Sequence, residues 1–159
     1  MTAKQPAIVG RPADVTAQYL TEVLHYAGIH ATVAGFKARN VGTGQVGQNV
    51  RFELNYAQGA ASDAPGSIVG KFCSEDEVSR QTGVALLNYL REVRFYQELQ
   101  STLDVQTPNL LFTDINEETH EFVLMMEDLA PAEQGNQLNG CNAADVKLGL
   151  TELAKLHGP

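Results

Sequence analysis

The stretch VGTGQVGQNVRFELNY, residues 41–56, decides the fold of this chain. From Val50 to Tyr56, apolar side chains alternate with polar ones, which is the pattern of a strand that buries one face. The residues before Val50 form a glycine-rich loop, and a loop followed directly by a strand predicts a β-hairpin rather than the start of a helix. Residues 32–41 supply the other strand of this hairpin.

The remaining pattern adds strands and helices on both sides of the hairpin. In chain order we predict a helix from an N-cap at Asp14 to Gly28, strands at 32–41, 50–56 and 67–72, a helix at 84–99, strands at 110–115 and 121–126, and a helix at 143–157. Turn-forming residues fill 59–66. Because the strands are grouped and do not alternate with helices, we expect an α+β fold, a five-stranded antiparallel sheet with a long helix packed on it. The apolar face of that long helix is expected to comprise Leu86, Leu87, Leu90, Val93 and Leu99.

Composition excludes several classes of protein. The 159 residues carry a net charge of −8 and only 11 Lys and Arg without a cluster, which argues against a nucleic-acid partner. There is no apolar run long enough to cross a membrane and no apolar segment typical of a secretion signal. The cysteines, Cys73 and Cys141, show no metal-ligand spacing, and we expect a cytoplasmic protein without a zinc site or a disulfide scaffold.

The glycine-rich loop has the spacing of a phosphate-binding segment. Gly42, Gly44 and Gly47 follow the pattern GxGxxG, in which the backbone can approach phosphates and direct amide groups at them. In dinucleotide-binding folds a helix follows such glycines, whereas here a strand follows, as in protein kinases. The alternative is a flexible hairpin loop without a ligand.

Two charged residues could work with this loop. Lys71 lies inside the apolar strand SIVGKF, where a lysine must reach solvent, pair with a carboxylate or bind an anion. Glu92 lies on the following helix and could orient Lys71, as a helix glutamate does in kinases. We predict that the two charged groups lie within about 4 Å of each other. The alternatives are an edge lysine facing water, a solvated helix face, and Glu98 as the partner of the lysine.

The segment MMEDL, residues 125–129, ends an apolar strand abruptly. In kinases this position is the hinge, whose backbone binds the edge of adenine. The alternative is a strand that ends in acidic residues facing solvent. Loop, lysine, helix glutamate and hinge occur here in the kinase order, and this joint order favours a kinase-like function.

Four segments, GTGQVGQNVRFEL, IVGKFCSEDEVSRQTG, YLREVRFYQEL and FVLMMEDLAPAEQGNQLNG, resemble the aminoglycoside-phosphotransferase-like small-molecule kinases, which include the ecdysteroid-kinase-like proteins. The likeness covers about residues 14–157. It implies a protein-kinase-like N-terminal lobe and phosphoryl transfer from ATP, with Mg²⁺, to a hydroxyl group of a small molecule.

The resemblance also implies a role for each matching residue. It assigns Gly42, Gly44 and Gly47 to the phosphate-covering loop, Lys71 to the ATP phosphates and Glu92 to the lysine. By analogy, the backbone of Glu127 and Leu129 meets the adenine. Val69, two residues before Lys71, points into the same cleft because strand side chains alternate, and it covers the base.

The sequence departs from the family in its last part. It contains no H-G-D-x-x-x-x-N motif, and His157-Gly158 is followed by Pro159. We therefore expect a leader at 1–13, an ATP-binding lobe at 14–128, and at 129–159 a connector with the first helix of a second lobe. The catalytic aspartate and the Mg²⁺ ligands are expected outside this chain, and the apolar surface facing the second lobe is expected to self-associate. The alternative function is a non-catalytic nucleotide- or partner-binding module.

Overall fold

A computed structural model describes residues 4–42, 44–58, 64–136 and 138–158. Within these ranges the strands are β1 (Val33–Asn40), β2 (Gly47–Tyr56), β3 (Ser67–Cys73), β4 (Leu110–Ile115) and β5 (Phe122–Glu127), and the helices are α1 (Ala17–Tyr26), α2 (Glu77–Ala85), α3 (Asn88–Arg94) and α4 (Ala143–His157). The strands form one five-stranded antiparallel sheet in the order β1-β2-β3-β5-β4. The predicted α+β class and antiparallel sheet are therefore confirmed.

One face of the sheet carries the main core under α1. Val50, Phe52 and Leu54 of β2 are buried there, as their alternation in the sequence predicts. From α1, Leu20, Val23 and Leu24 pack on the same face and are fully shielded from solvent. The buried side chains of β2, spaced two residues apart, and those of α1, spaced three to four apart, thus form a single apolar layer.

The other face is covered by α3 over only part of its area. Tyr89 and Val93 of α3 are buried against Phe122 and Leu124 of β5, together with Cys73 at the end of β3. Helix α3 contacts β4 and β5. The part of this face formed by β1, β2 and β3 is left open, and it becomes one wall of the cleft described below.

The N-terminal residues differ from the prediction. The cap of α1 is Thr16, whose hydroxyl accepts a 3.1 Å hydrogen bond from the Tyr19 amide. Asp14 instead pairs with Arg11 inside a short 3-10 turn, so the predicted N-cap was wrong. Within the predicted leader, Ile8 and Val9 pack against the main core. These apolar residues anchor a segment whose short length gives no helix or strand pattern.

The long helix predicted at 84–99 is broken and starts earlier. Asp76 caps α2 by accepting a 2.8 Å hydrogen bond from the Ser79 amide. The mainly polar residues 77–83, before the predicted helix, therefore already form a helix. Leu87 then adopts a left-handed backbone with φ 55°, which ends α2 and redirects the chain into α3. A π-type turn, Phe95–Leu99, continues α3. Because of this break, Leu86, Leu87 and Leu99 are exposed and do not form the expected apolar face.

The other predicted bounds need smaller adjustments. Strand β2 begins at Gly47, not at Val50, and β5 begins at Phe122. Of the predicted turn at 59–66, residues 59–63 lie outside the described part of the chain. The last helix spans 143–157 as predicted, and its leucines stand out from the protein, with Leu148 69% exposed. No helix within the described residues is both long and apolar enough to span a lipid bilayer.

Candidate functional site

A cleft of about 580 Å³ lies between the open face of β1–β3 and the segment after β5. Its volume falls within the range of small-molecule sites, roughly 300–1,000 Å³. Among its lining residues are Gly42, Arg51, Val69, Met126, Glu127 and Leu129. A smaller cavity of about 280 Å³ shares Gly42 and Asn49 with it and is also lined by Gly44 and Gly47. The sheet and the loop thus enclose a continuous concave surface.

The register of the strands gives this surface a direction. Two successive rows cross β2, β3 and β5: Arg51–Val69–Met126 and Asn49–Lys71–Leu124. The next pair of residues on the same face, Gly47 and Cys73, lies where the glycine loop ends and β2 begins. Because residues two apart in a strand share a face, an elongated ligand would meet Val69 first, then Lys71, then the loop. At the end of this surface away from the loop, the Arg51–Val69–Met126 row borders Glu127, the last residue of β5.

Lys71 and Glu92 form the ion pair that the sequence predicts. The Lys71 Nζ donates to Glu92 Oε1 at 2.7 Å, and Oε2 also lies 2.7 Å from it. The side chains are 25% and 29% exposed, so the pair is only partly shielded from solvent. Neither residue lines the two cavities described above. Glu98, the rival partner, contacts Arg94 on the outer side of the helix. An ammonium held by one carboxylate retains N–H groups that could bind a second anion.

The glycines of the loop are required by its geometry. Gly42 has a left-handed backbone with φ 74°, which favours glycine. A Cβ at Gly44 would overlap the carbonyl oxygen of Gly47, so the loop closes only without a side chain there. A Cβ at Gly47 would lie 3.3 Å from Lys71 Cε, which places the lysine directly beneath the loop. Thr43 lies outside the described residues.

The end of the cleft opposite the loop is formed by backbone and apolar groups. Val69 and Met126 lie side by side across β3 and β5 and border the cavity. The Glu127 amide donates to the Asn109 carbonyl at 2.9 Å, and the Leu129 carbonyl accepts from the Ala132 amide at 2.9 Å. These two backbone groups are therefore already hydrogen-bonded within the chain, and a flat apolar ligand would contact the side chains of Val69 and Met126 on its face.

A buried ion pair borders the same end of the cleft, and the sequence pattern did not predict it. Arg51 Nη2 donates to Asp128 Oδ1 at 2.7 Å, and Ser67 Oγ donates to Oδ2 at 2.5 Å. Arg51 Nε lies 2.5 Å from Oδ2, but its N–H direction is too poor for a hydrogen bond, so this approach is an ionic contact. Only 5% of the Asp128 side chain is exposed. Asp128 is thus tied to β2 and β3 and does not face solvent, whereas Glu127 beside it is exposed.

These partners determine the protonation of Asp128. Burial raises its pKa, but hydrogen bonds from Arg51, Ser67 and the Ala130 amide, together with the charge of Arg51, outweigh burial and hold the pKa below the ordinary value. The carboxylate is therefore ionised at neutral pH. In the π-type turn after α3, burial raises the pKa of Tyr96, and the nearby charge of Glu92 adds to the increase.

The structure thus brings most of the predicted site residues together. Gly42, Val69, Glu127 and Leu129 line the cleft, and Gly44 and Gly47 line the smaller cavity. Lys71 and Glu92 pair between β3 and α3 and line neither cavity. His157 is the last residue of α4 and lines neither of the two cavities. Within the described residues, no group of three His, Cys, Asp or Glu side chains could hold a metal ion. No model of a protein family matches the chain, and neither does any curated protein.

Proposed function

We propose that the cleft binds ATP and that the chain is the N-terminal, nucleotide-binding lobe of a small-molecule kinase. The observation that carries the proposal is the Lys71–Glu92 ion pair, 2.7 Å long, on the face that the glycine loop covers. A lysine within an apolar strand, held by a helix carboxylate beneath a tight glycine loop, suits the phosphates of a nucleotide.

The proposed placement follows the direction of the cleft. The adenine packs under Val69 and beside Met126, with its edge toward the backbone of Glu127 and Leu129. The phosphates lie toward the glycine loop, where the ammonium of Lys71 compensates their charge. Glu92 holds this ammonium in place, so little side-chain freedom is lost when the nucleotide binds.

The full reaction would move the γ-phosphoryl group of ATP to a hydroxyl oxygen of a small molecule. The bond to the β-phosphate oxygen breaks, a bond to the acceptor oxygen forms, and the acceptor loses its proton. That chemistry requires positioned Mg²⁺ and a group that orients the acceptor. The described carboxylates do not form a group suited to Mg²⁺, so we assign neither function to this chain.

The same proposal gives α4 a role as the first helix of a second lobe. Its leucines are exposed, with Leu148 at 69% and Leu150 at 59%. An apolar helix face of this kind suits burial against another protein surface, and we propose self-association when no second lobe covers it. Sedimentation or light scattering over a range of concentrations measures this directly.

Titration calorimetry with Mg²⁺–ATP tests the proposal. Lys71→Met removes the charge and keeps the length of the side chain, and we expect the Kd for ATP to rise about 10- to 100-fold, which corresponds to a hydrogen bond to a charged group. Lys37→Met is the matched control, because Lys37 is an exposed lysine of the edge strand β1, which β2 separates from the strand of Lys71. Equal affinities for all three proteins, or no ATP binding at millimolar concentration, would refute the proposal. Because the lobe alone is also expected to transfer no phosphate, ATP binding does not separate the two functions. A chain that stays monodisperse in the sedimentation measurement would support the alternative, non-catalytic module.

A further inference from the structure

Tyr89 connects the glycine loop to the helix that carries Glu92. Its hydroxyl donates a hydrogen bond to the carbonyl oxygen of Val46, a residue of the loop. Tyr89 belongs to α3, so this contact joins two elements that are 43 positions apart in the sequence. The segment YLREVRFYQEL begins at Tyr89, but the sequence analysis assigns this residue no role.

The ring of Tyr89 is held rigidly on both sides. It is 1% exposed and stacks on Phe122 with ring centroids 4.8 Å apart and an interplanar angle of 22°. On another side it packs against α2 at Gly83, where a Cβ would lie 2.5 Å from Tyr89 Cζ and 2.6 Å from the hydroxyl oxygen. The glycine therefore leaves room for the ring, and the ring fixes the position of the hydroxyl.

The hydroxyl is a committed hydrogen-bond donor. A buried phenol needs a partner, and the Val46 carbonyl provides it. Burial raises the pKa of Tyr89, and this increase exceeds the lowering caused by the backbone of Ser74 and the charge of Arg80. The group is therefore protonated at neutral pH and can donate to the loop.

The placement of Tyr89 also relates the loop to the Lys71–Glu92 pair. Glu92 follows Tyr89 by three positions on α3, so the two side chains lie on neighbouring positions of one helix face. Helix α3 thus holds the loop through Tyr89 and holds Lys71 through Glu92. A displacement of α3 would disturb both contacts together.

We propose that Tyr89 is a positioning residue that fixes the glycine loop relative to Lys71. The backbone amides of the loop and the ammonium of Lys71 can then bind the same phosphate chain. This inference rests on the proposed ATP site. It requires that Tyr89 affect the phosphate end of the cleft and leave the base end unchanged, because the hydroxyl contacts only the loop and the backbone of Ser74 beside it. It also requires that the loop become more open when the hydroxyl is removed, whether or not a nucleotide is present.

Tyr89→Phe tests the inference, because it removes the hydroxyl and keeps the ring stacked on Phe122. The matched control is Tyr56→Phe, which also removes a tyrosine hydroxyl bonded to a backbone carbonyl, that of Pro65 at 2.6 Å, far from the cleft. Gly83→Ala is a second variant, which keeps the hydroxyl but pushes the ring from its place. The measurements are hydrogen exchange of the backbone amides at 44–47 and calorimetric titration with Mg²⁺–ATP and with adenosine.

We expect exchange at 44–47 to become about fivefold faster in Tyr89→Phe, the effect of one hydrogen bond of about 1 kcal/mol. The Kd for ATP should rise by a similar factor, while the Kd for adenosine stays unchanged. Gly83→Ala should give the same pattern, and Tyr56→Phe should match the wild type in all three measurements. Unchanged exchange at 44–47 in Tyr89→Phe would overturn the inference, as would equal losses of ATP and adenosine affinity. Absence of ATP binding in the wild type would instead refute the proposed function, while exchange alone would still decide whether Tyr89 holds the loop.

Discussion

The substitution Asp128→Asn probes the ion pair that joins the segment after β5 to the sheet. It keeps the size of the side chain and removes the charge that Arg51 contacts through Nη2 and Nε. Arg51, 19% exposed, would then remain in the cleft wall without a carboxylate partner. The oxygen that Asn retains can still accept from Ser67 or from the Ala130 amide, so the local backbone is preserved.

The expected loss of stability follows from the burial of the pair. Removing one partner of a fully buried pair costs about 3–5 kcal/mol, because the other charge stays desolvated. Here the carboxylate is shielded but Arg51 borders an open cleft, so water can partly solvate the guanidinium. We therefore expect a decrease of about 2–3 kcal/mol in the free energy of unfolding, which lies within the range for hydrogen bonds to charged groups.

Urea unfolding at pH 7 measures this change, with Glu53→Gln as the matched control. Glu53 pairs with Arg39 at 3.0 Å in the same sheet, but the two side chains are 47% and 55% exposed. Exposed pairs contribute at most about 1 kcal/mol, so the control should be much closer to the wild type. Equal effects of the two substitutions would refute the argument that burial gives the Arg51–Asp128 pair its weight.

The pH dependence supplies a second check on the same substitution. Because the folded pKa of Asp128 lies below its ordinary value of 3.8, its contribution is complete above pH 3.8 and is lost as the pH falls through the folded pKa. The difference in stability between wild type and Asp128→Asn should therefore be constant near neutral pH and shrink in strong acid. A difference that grows on acidification would have the wrong sign for this account.

Three further predictions concern the loop, the core and turnover. Gly44→Ala should weaken ATP binding about tenfold or more, because its Cβ would force strain at the Gly47 carbonyl. Gly135→Ala, with open space around it, is the control, and equal ATP affinities of the two variants would contradict this prediction. Gly70→Ala should lower the free energy of unfolding by about 1–3 kcal/mol through overpacking, since its Cβ would lie within 2.9 Å of three packed side chains. Gly35→Ala meets nothing within 4 Å and should be nearly neutral, so equal losses would contradict the packing argument. The chain alone should transfer no phosphate from Mg²⁺–ATP to hydroxylated acceptors, and a product that forms in proportion to the chain would refute this.

The structural features that could be predicted from the sequence are those that depend on local periodicity. Alternation in β2 fixed which residues face the core, and the two-residue period placed Val69 and Lys71 on one face. The spacing from Lys71 to Glu92 then allowed one ion pair between strand and helix, which is present at 2.7 Å. The hairpin at 41–47 was predictable because a strand, and not a helix, follows the glycines.

The features that escaped prediction depend on contacts between distant residues or on unusual backbone. Arg51 and Asp128 are 77 positions apart, and each alone has the pattern of a solvent-facing charge. The helix break at Leu87 uses a left-handed residue that is not glycine, so no sequence signal marks it. Asp76, by contrast, stands three residues before the serine whose amide it caps, and that spacing could have indicated the start of α2.

The most direct test of the ATP site is a titration monitored by the methyl signals of valine and leucine in a two-dimensional NMR spectrum. Val69 and Leu129 lie at the proposed base end of the cleft, while Val146 and Leu148 on α4 are exposed apolar residues outside its walls. We predict that Mg²⁺–ATP and adenosine both shift the Val69 and Leu129 signals along saturating curves and leave the α4 signals in place. Shifts confined to α4, or no shift of Val69 and Leu129 at millimolar ATP, would contradict the proposed nucleotide site.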